Sequence, residues 1–165
     1  MTTKKLCGLA VLTALYCVLG AMVKIPIIGA ISLDLGYIAF AIALRKYHVW
    51  GMVVGMAGCA FESIMFTPYG FSISWFVANA IIGLGCGITY HLVDTHLPTD
   101  KLVRAVTTIL FVLIGVMIVK TYIECNLYGI PFEVKVVKNA VASALDSTTM
   151  LIGLFIYNRI EKARI

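Results

Sequence analysis

A chain of 165 residues with 61% hydrophobic residues, 13% charged residues and a mean hydropathy of +1.00 lies outside soluble composition, in which about half the residues are apolar and about a quarter charged. These proportions exclude an ordinary water-soluble domain and make the bilayer core the main solvent. The net charge of +5 is explained below by topology, so it gives no reason to invoke nucleic acid.

Crossing about 30 Å of hydrocarbon takes roughly 17 to 25 helical residues. Met1 to Lys5 is basic and precedes an apolar run, as in a secretory signal. The run from Leu6 to Val23 is too long for a signal core, however, and no small-x-small cleavage site precedes a soluble domain. It is predicted as the first spanning helix. The next candidate, Gly36 to Leu44, is too short to cross alone; extended back into Ile31 to Leu35, it predicts a short, tilted or partly re-entrant helix. Val49 to Phe66, Trp75 to Leu92, Leu102 to Ile123 and Val136 to Tyr157 complete the set. The expected fold is all-α, a single-domain integral membrane bundle over 1–165 with six transmembrane helices, a short second helix and a re-entrant-like outer loop one.

Cys7, Cys17, Cys59, Cys86 and Cys125 are scattered singly, so neither a disulfide framework nor a zinc site is indicated. With six spans, one side holds Lys4, Lys5, Arg45, Lys46, Lys101, Arg104, Arg159, Lys162 and Arg164, against Lys24, Lys120, Lys135 and Lys138 opposite. That imbalance predicts a multi-pass protein of the cell membrane with both termini in the cytoplasm. Gly51 and Gly55, and Gly83 and Gly87, recur at the four-residue step that lets helix backbones approach closely in lipid, and Ala10 and Ala14 do the same in helix one.

Ionisable and amide groups inside spans are costly and face partners or cavities rather than lipid. Glu62 falls about a turn from the outer end of helix three, Asn79 follows Trp75 by four residues, and Lys120 precedes Glu124 by four. In helix six, Asn139, Ser143, Asp146 and Met150 recur at steps of four, three and four, which places them on one inward face. They are candidates for ligand contact or for a structural hydrogen-bond network, with Asp146 paired to Lys120 or to Ser and Asn neighbours. Lys24, Ser32, Asp34 and Tyr37 add polar groups from loop one. Tyr69, Trp75, Tyr128 and Phe132 sit at outer loops or helix ends, where aromatics anchor at the interface or stack on a planar ligand. His91, Asp94 and His96 suggest a metal, but they read as a solvated connector.

The six spans, the alanine pair of helix one, the long loop from Lys24 to Tyr37 containing Ile-Ser-Leu-Asp-Leu-Gly-Tyr, and the run Tyr-Gly-Phe-Ser-Ile-Ser-Trp from Tyr69 to Trp75 before a glycine-rich helix together resemble the substrate-binding S component of energy-coupling factor (ECF) vitamin transporters. The resemblance implies capture of a small vitamin or heterocyclic micronutrient on the outer face, of the riboflavin, folate, pantothenate or queuosine-precursor kind, for ATP-driven uptake. It implies that loop one covers the solute and that Ala10 and Ala14 dock against a transmembrane T component acted on by two ATPases. Loop one has no arginine, a departure that argues against a carboxylated pterin. Lys24, Asp34, Tyr37, Glu62, Trp75, Asn79, Lys120, Tyr128, Asn139, Ser143 and Asp146 are the expected substrate contacts. No GxxxxGK[ST] loop occurs, so ATP belongs to partner subunits and no cofactor is expected in this chain. The absence of Gly-x-Ser-x-Gly and HExxH motifs leaves an intramembrane enzyme little to work with. Two alternatives share the composition: a stand-alone proton-coupled carrier titrating Glu62 or Asp146, and a membrane scaffold whose polar stripe is structural.

Overall fold

A computed structural model describes residues 2–22, 25–28, 31–66, 70–96 and 101–163. Among the described residues there are seven α-helices: α1 (Thr3–Met22), α2 (Gly36–Tyr47), α3 (Met52–Phe66), α4 (Ile73–His96), α5 (Lys101–Val112), α6 (Thr121–Tyr128) and α7 (Phe132–Lys162). A π-helical stretch, Leu113–Lys120, joins α5 to α6 in one continuous rod. Among the described residues, five segments are long and apolar enough to cross a membrane: Thr3–Ala21, Gly36–Met65, Ile73–His96, Lys101–Tyr128 and Phe132–Lys162.

The segment Gly36–Met65 is not one straight rod. His48 takes a positive φ of 53° and opens a single 3-10 turn, His48–Gly51, between α2 and α3. Beyond it the chain folds back on itself: a methyl group at Gly51 would lie against the Ala43 and Leu44 backbone, and one at Gly55 would enter the Phe40 ring. The same close approach recurs at α4, where Gly83 faces Met52 and Gly87 faces the Val49 backbone. These glycines let backbones touch where lipid gives no hydrophobic drive for association.

Helix α2, the first part of the span with the lowest hydropathy, is heavily enclosed. It packs against α1, α3, α4 and α7, with Tyr37, Ala39, Phe40, Ala41, Ala43 and Leu44 all buried. Its small side chains suit a rod surrounded by protein rather than lipid. Helix α1 lies at the edge: Leu9, Tyr16 and Gly20 point inward, while Leu6, Ala10, Val11, Ala14, Leu15 and Val18 are exposed.

Two expectations are corrected here. Loop one forms no re-entrant helix, and α2 is not extended into Ile31 to Leu35. An antiparallel hairpin takes its place, β1 (Ile25–Ile28) pairing with β2 (Ile31–Leu33) so that Ile25 opposes Leu33. β-branched isoleucines favour extended backbone, and Pro26 blocks a helix interior.

His91, Asp94 and His96 are likewise not in a loop, because α4 runs on to His96. Asp94 is the hub of that end of the bundle. Its Oδ2 lies 2.6 Å from Arg45 Nη1, its Oδ1 2.5 Å from Arg104 Nη2, and His48 Nε2 3.8 Å from Oδ2. Arg45 also reaches Glu161 at 3.7 Å and lies over the Tyr157 ring. One carboxylate thus ties α2, α4 and α5, and through Arg45 also α7.

Gly87→Val should drive a branched side chain into the Val49 backbone, costing roughly 1 to 3 kcal/mol or more, read as lost monodisperse yield in detergent; a well-folded variant would refute the tight α4 contact. Asp94→Ala removes the carboxylate that Arg45 and Arg104 share, and should lower the unfolding midpoint in detergent by an amount corresponding to roughly 3 kcal/mol. An unchanged midpoint would show that the hub is not structural.

Candidate binding site

At the end opposite Thr3 and Lys162, the buried polar stripe of α7 meets the π-helical rod. Asn139, Ser143, Asp146 and Met150 are all buried, as their spacing requires. Lys120, the last residue of the π stretch, donates through Nζ to Asn139 Oδ1 at 2.8 Å, and Asn139 Nδ2 donates to Thr121 Oγ1 at 2.9 Å. Thr121 Oγ1 in turn donates to the carbonyl of Val116, five residues back, at 3.4 Å. That five-residue reach is the π-helical step, and such bulges concentrate at functional sites.

The Lys120 charge is balanced locally. Its Nζ lies 3.6 Å from Glu124 Oε1 and 3.8 Å from the centre of the Trp75 ring, so ammonium rather than solvent covers one indole face. Glu124 also receives Lys135 Nζ at 2.9 Å on Oε2 and the Ser74 hydroxyl at 3.3 Å on Oε1. The result is a knot joining α4, α6 and α7, with one carboxylate between two ammonium groups.

A second cluster lies among α1 to α4. The Tyr37 hydroxyl donates to Asn79 Oδ1 at 2.9 Å, both residues being buried. Tyr37 packs on Tyr16 and Phe40 with ring centres 6.1 and 6.0 Å apart. Asp34 Oδ1 accepts from the Gly36 amide at 2.8 Å, fixing the start of α2. The carboxylates of Asp34 and Glu62 converge on Gly20, where a methyl group would lie 3.0 Å from Asp34 Oδ1 and 3.1 Å from Glu62 Oε2.

Four buried polar atoms in this half have no hydrogen-bond partner among the described residues: Glu124 Oε2, which is ion-paired to Lys135, and Asp146 Oδ2, Asn79 Nδ2 and Ser147 Oγ. Burying such groups unpaired costs roughly 1 to 3 kcal/mol each. An arrangement of that kind can receive a ligand through hydrogen bonds that the bundle itself does not complete.

The structure therefore brings Asp34, Tyr37, Glu62, Trp75, Asn79, Lys120, Asn139, Ser143 and Asp146 to one end, in two clusters. Ser143 is satisfied within its own helix, its Oγ donating to Ala140 O at 2.8 Å. Tyr128 is 57% exposed at the end of α6, outside both clusters. Lys24 and Tyr69 fall outside the described residues, and Ser32 lies in β2. Asp146 is bonded neither to Lys120 nor to a Ser or Asn side chain. Thr121, Ser74, Lys135 and Ser147 join the site without having been read from sequence. Thr121 was hidden because an α-helical wheel places it far around the rod from Val116, whereas the π step stacks the two.

On the far side of the bundle, near the end bearing the termini, Ala10 lines a lipid-facing apolar groove of about 280 Å³ with Leu6, Leu9, Thr13, Trp50 and Val53. Ala14 is exposed one turn along. Both alanines point away from the bundle, so neither closes it.

Solved structures share this architecture. The S component for biotin from an ECF-type ABC transporter superposes with a TM-score of 0.67 at 19% identity, over 98% of this chain and 95% of that one. The S component of a bacterial ECF transporter gives 0.60 at 18% identity, over 98% of each chain. No curated protein sequence matches the chain. The family model described as ECF-type riboflavin transporter, S component, matches residues 1–162. That family is a transporter's substrate-binding component, not an enzyme class. The chain is thus a multi-pass membrane protein that belongs to the ECF-type riboflavin transporter S-component family.

Proposed function

We propose that this S component captures a small heterocyclic vitamin-like solute at the end formed by loop one, α4, α6 and α7, for ATP-driven uptake with a T component and two ATPase subunits. The observation that carries the reading is the set of buried, incompletely bonded polar groups at that end, Asp146 Oδ2 and Asn79 Nδ2 above all, in a chain of this family. The family's name points to riboflavin and one structural neighbour to biotin, both of which present a hydrogen-bonding heterocycle.

In this reading α2 and α3 cross separately, giving six passages and placing both termini in the cytoplasm with nine of the thirteen Lys and Arg residues. The solute end then faces outward. The chain binds no ATP and needs no cofactor of its own. Ala10 and Ala14 present small, exposed side chains along α1, where a partner helix approaches closely. Asn139 acts by holding Lys120, since both ends of its amide are already bonded within the bundle.

The direct test is a thermal-shift series on the purified chain in detergent with a panel of vitamins, queuosine precursors and nucleobases, because a ligand specific for the folded state raises its midpoint. A shift with one heterocycle supports the reading, and none with any probe on a folded sample refutes it. Ala10→Trp with Ala14→Leu should abolish uptake by the complete transporter while sparing solute binding to the isolated chain; persisting uptake would remove these alanines from docking. Asn139→Ala should lower the midpoint of the ligand-free chain by the equivalent of about 1 to 3 kcal/mol, since it removes the buried hydrogen bonds to Lys120 and Thr121. A variant that loses affinity at unchanged stability would instead make Asn139 a solute contact.

A further inference from the structure

The first turn of α1 carries positive charge that the surrounding protein does not neutralise. Lys4 and Lys5 lie in that turn and Lys46 in the last turn of α2; neither helix, nor the 3-10 turn that follows α2, contains an acidic residue. The arginines of the same end are differently placed, Arg45 being paired with Asp94 and Glu161, and Arg104 with Asp94. Lys5 and Lys46 lie instead over aromatic rings, Lys5 Nζ 5.2 Å from the centre of Trp50 and Lys46 Nζ 5.3 Å from that of Tyr47. The Tyr47 ring packs against Gly8, so both ammonium groups reach the start of α1. Among the described residues neither has a carboxylate within ion-pair reach. A ring face attracts a cation without cancelling its charge, which leaves both able to meet an anion.

Trp50 joins this charge to an apolar groove. Its half-exposed ring forms one wall of the space of about 280 Å³ that Leu6, Leu9, Ala10, Thr13 and Val53 complete. The one hydroxyl there, Thr13 Oγ1, already donates to the Leu9 carbonyl at 2.9 Å, so the groove requires no hydrogen bond from an occupant. It opens on the outer face of α1, where Leu6 is 57% and Val53 41% exposed. Trp50 and Tyr47 stand where aromatic side chains meet headgroups. An apolar groove with an ammonium at its mouth matches a molecule that the bilayer itself supplies, its chain suited to the groove and its phosphate to the lysines. We infer that the groove between α1 and the start of α3 holds an acyl chain of an anionic phospholipid from the leaflet beside the termini, with the headgroup phosphate held by Lys5 and Lys46. A neutral lipid would fill the apolar part and leave both ammonium groups without an anion, and a second copy of the chain would bring the same lysines face to face. The site lies away from the proposed solute contacts and does not depend on them.

The test reconstitutes the full chain into vesicles of dioleoylphosphatidylcholine containing increasing fractions of brominated phosphatidylglycerol or brominated phosphatidylcholine, whose bromines quench tryptophan on contact. The chain has two tryptophans, so the Trp50 signal is the part that Trp50→Phe removes. The expected result is quenching of Trp50 by the anionic lipid at roughly 5- to 10-fold lower mole fraction than by the zwitterionic one, a preference that falls as salt is added. Lys5→Gln should bring the two lipids to within about 2-fold of each other, and Ala10→Phe, which fills the groove, should do the same with the lysines intact. Equal quenching by both headgroups in the wild type would make the groove ordinary boundary surface and overturn the inference, as would a preference that survives either substitution. Trp50 shielded from both lipids, in a chain that runs as a dimer, would assign the groove to a second copy and overturn it too. Should a variant fail to fold, the headgroup comparison and its salt dependence on the wild type decide. Each of these results leaves the solute-binding reading standing, since the vitamin panel reads the other end of the molecule.

Discussion

Lys120 is the interaction on which the end of the bundle opposite the termini depends. An ammonium inside a membrane protein is tolerable only when other groups surround and neutralise it, and this one draws Asn139 from α7, Glu124 from α6 and Trp75 from α4 into contact. Glu124 recruits Lys135 and Ser74 in turn. The position of α7 against α4 is set by the requirement to satisfy that charge. The π-helical segment before Lys120 serves the same end, since the wider turn stacks Thr121 on Val116 and lets it accept from Asn139.

The two ends of the molecule handle buried charge differently. At the end bearing the termini, Asp94 is bracketed by Arg45 and Arg104 in short ion pairs, which locks α2, α4 and α5 together. At the opposite end Lys120 is fully engaged, but Asp146 and Asn79 keep unused hydrogen-bonding capacity. Among the described residues, buried polar atoms without a hydrogen-bond partner occur at both ends, Arg45 Nε and His48 Nδ1 at the first and Asp146 Oδ2 and Asn79 Nδ2 at the second. The proposed solute contacts lie at the second end, beside Tyr37, and not at the His91 and Asp94 end.

Between the ends the helices are held by close contact and by the buried hydrogen bond between the Tyr90 and Thr108 hydroxyls. Glycines at positions 51, 55, 83 and 87 bring α2, α3 and α4 within backbone distance, and the alanines of α2 allow four neighbours to surround it. The small residues of α1 have the opposite fate. Ala10 and Ala14 follow the same four-residue step yet face outward, since Leu9, Tyr16 and Gly20 already occupy the inward face.

Composition and hydropathy by themselves determined that this chain lives in a bilayer, where its helices run, and that Asn139, Ser143, Asp146 and Met150 share an inward face. Those properties depend on neighbours a few residues away, and a single sequence carries them. Only the tertiary structure decided that loop one is a hairpin, that Asp94 is a hub rather than a solvated connector, and that Asn139 serves Lys120 while Asp146 does not. It alone separated the alanine step that faces lipid from the glycine steps that face protein. Each of these outcomes turns on which side chain of a distant helix arrives opposite. Periodicity gives the direction a residue faces along its own helix, and packing across helices supplies its partner.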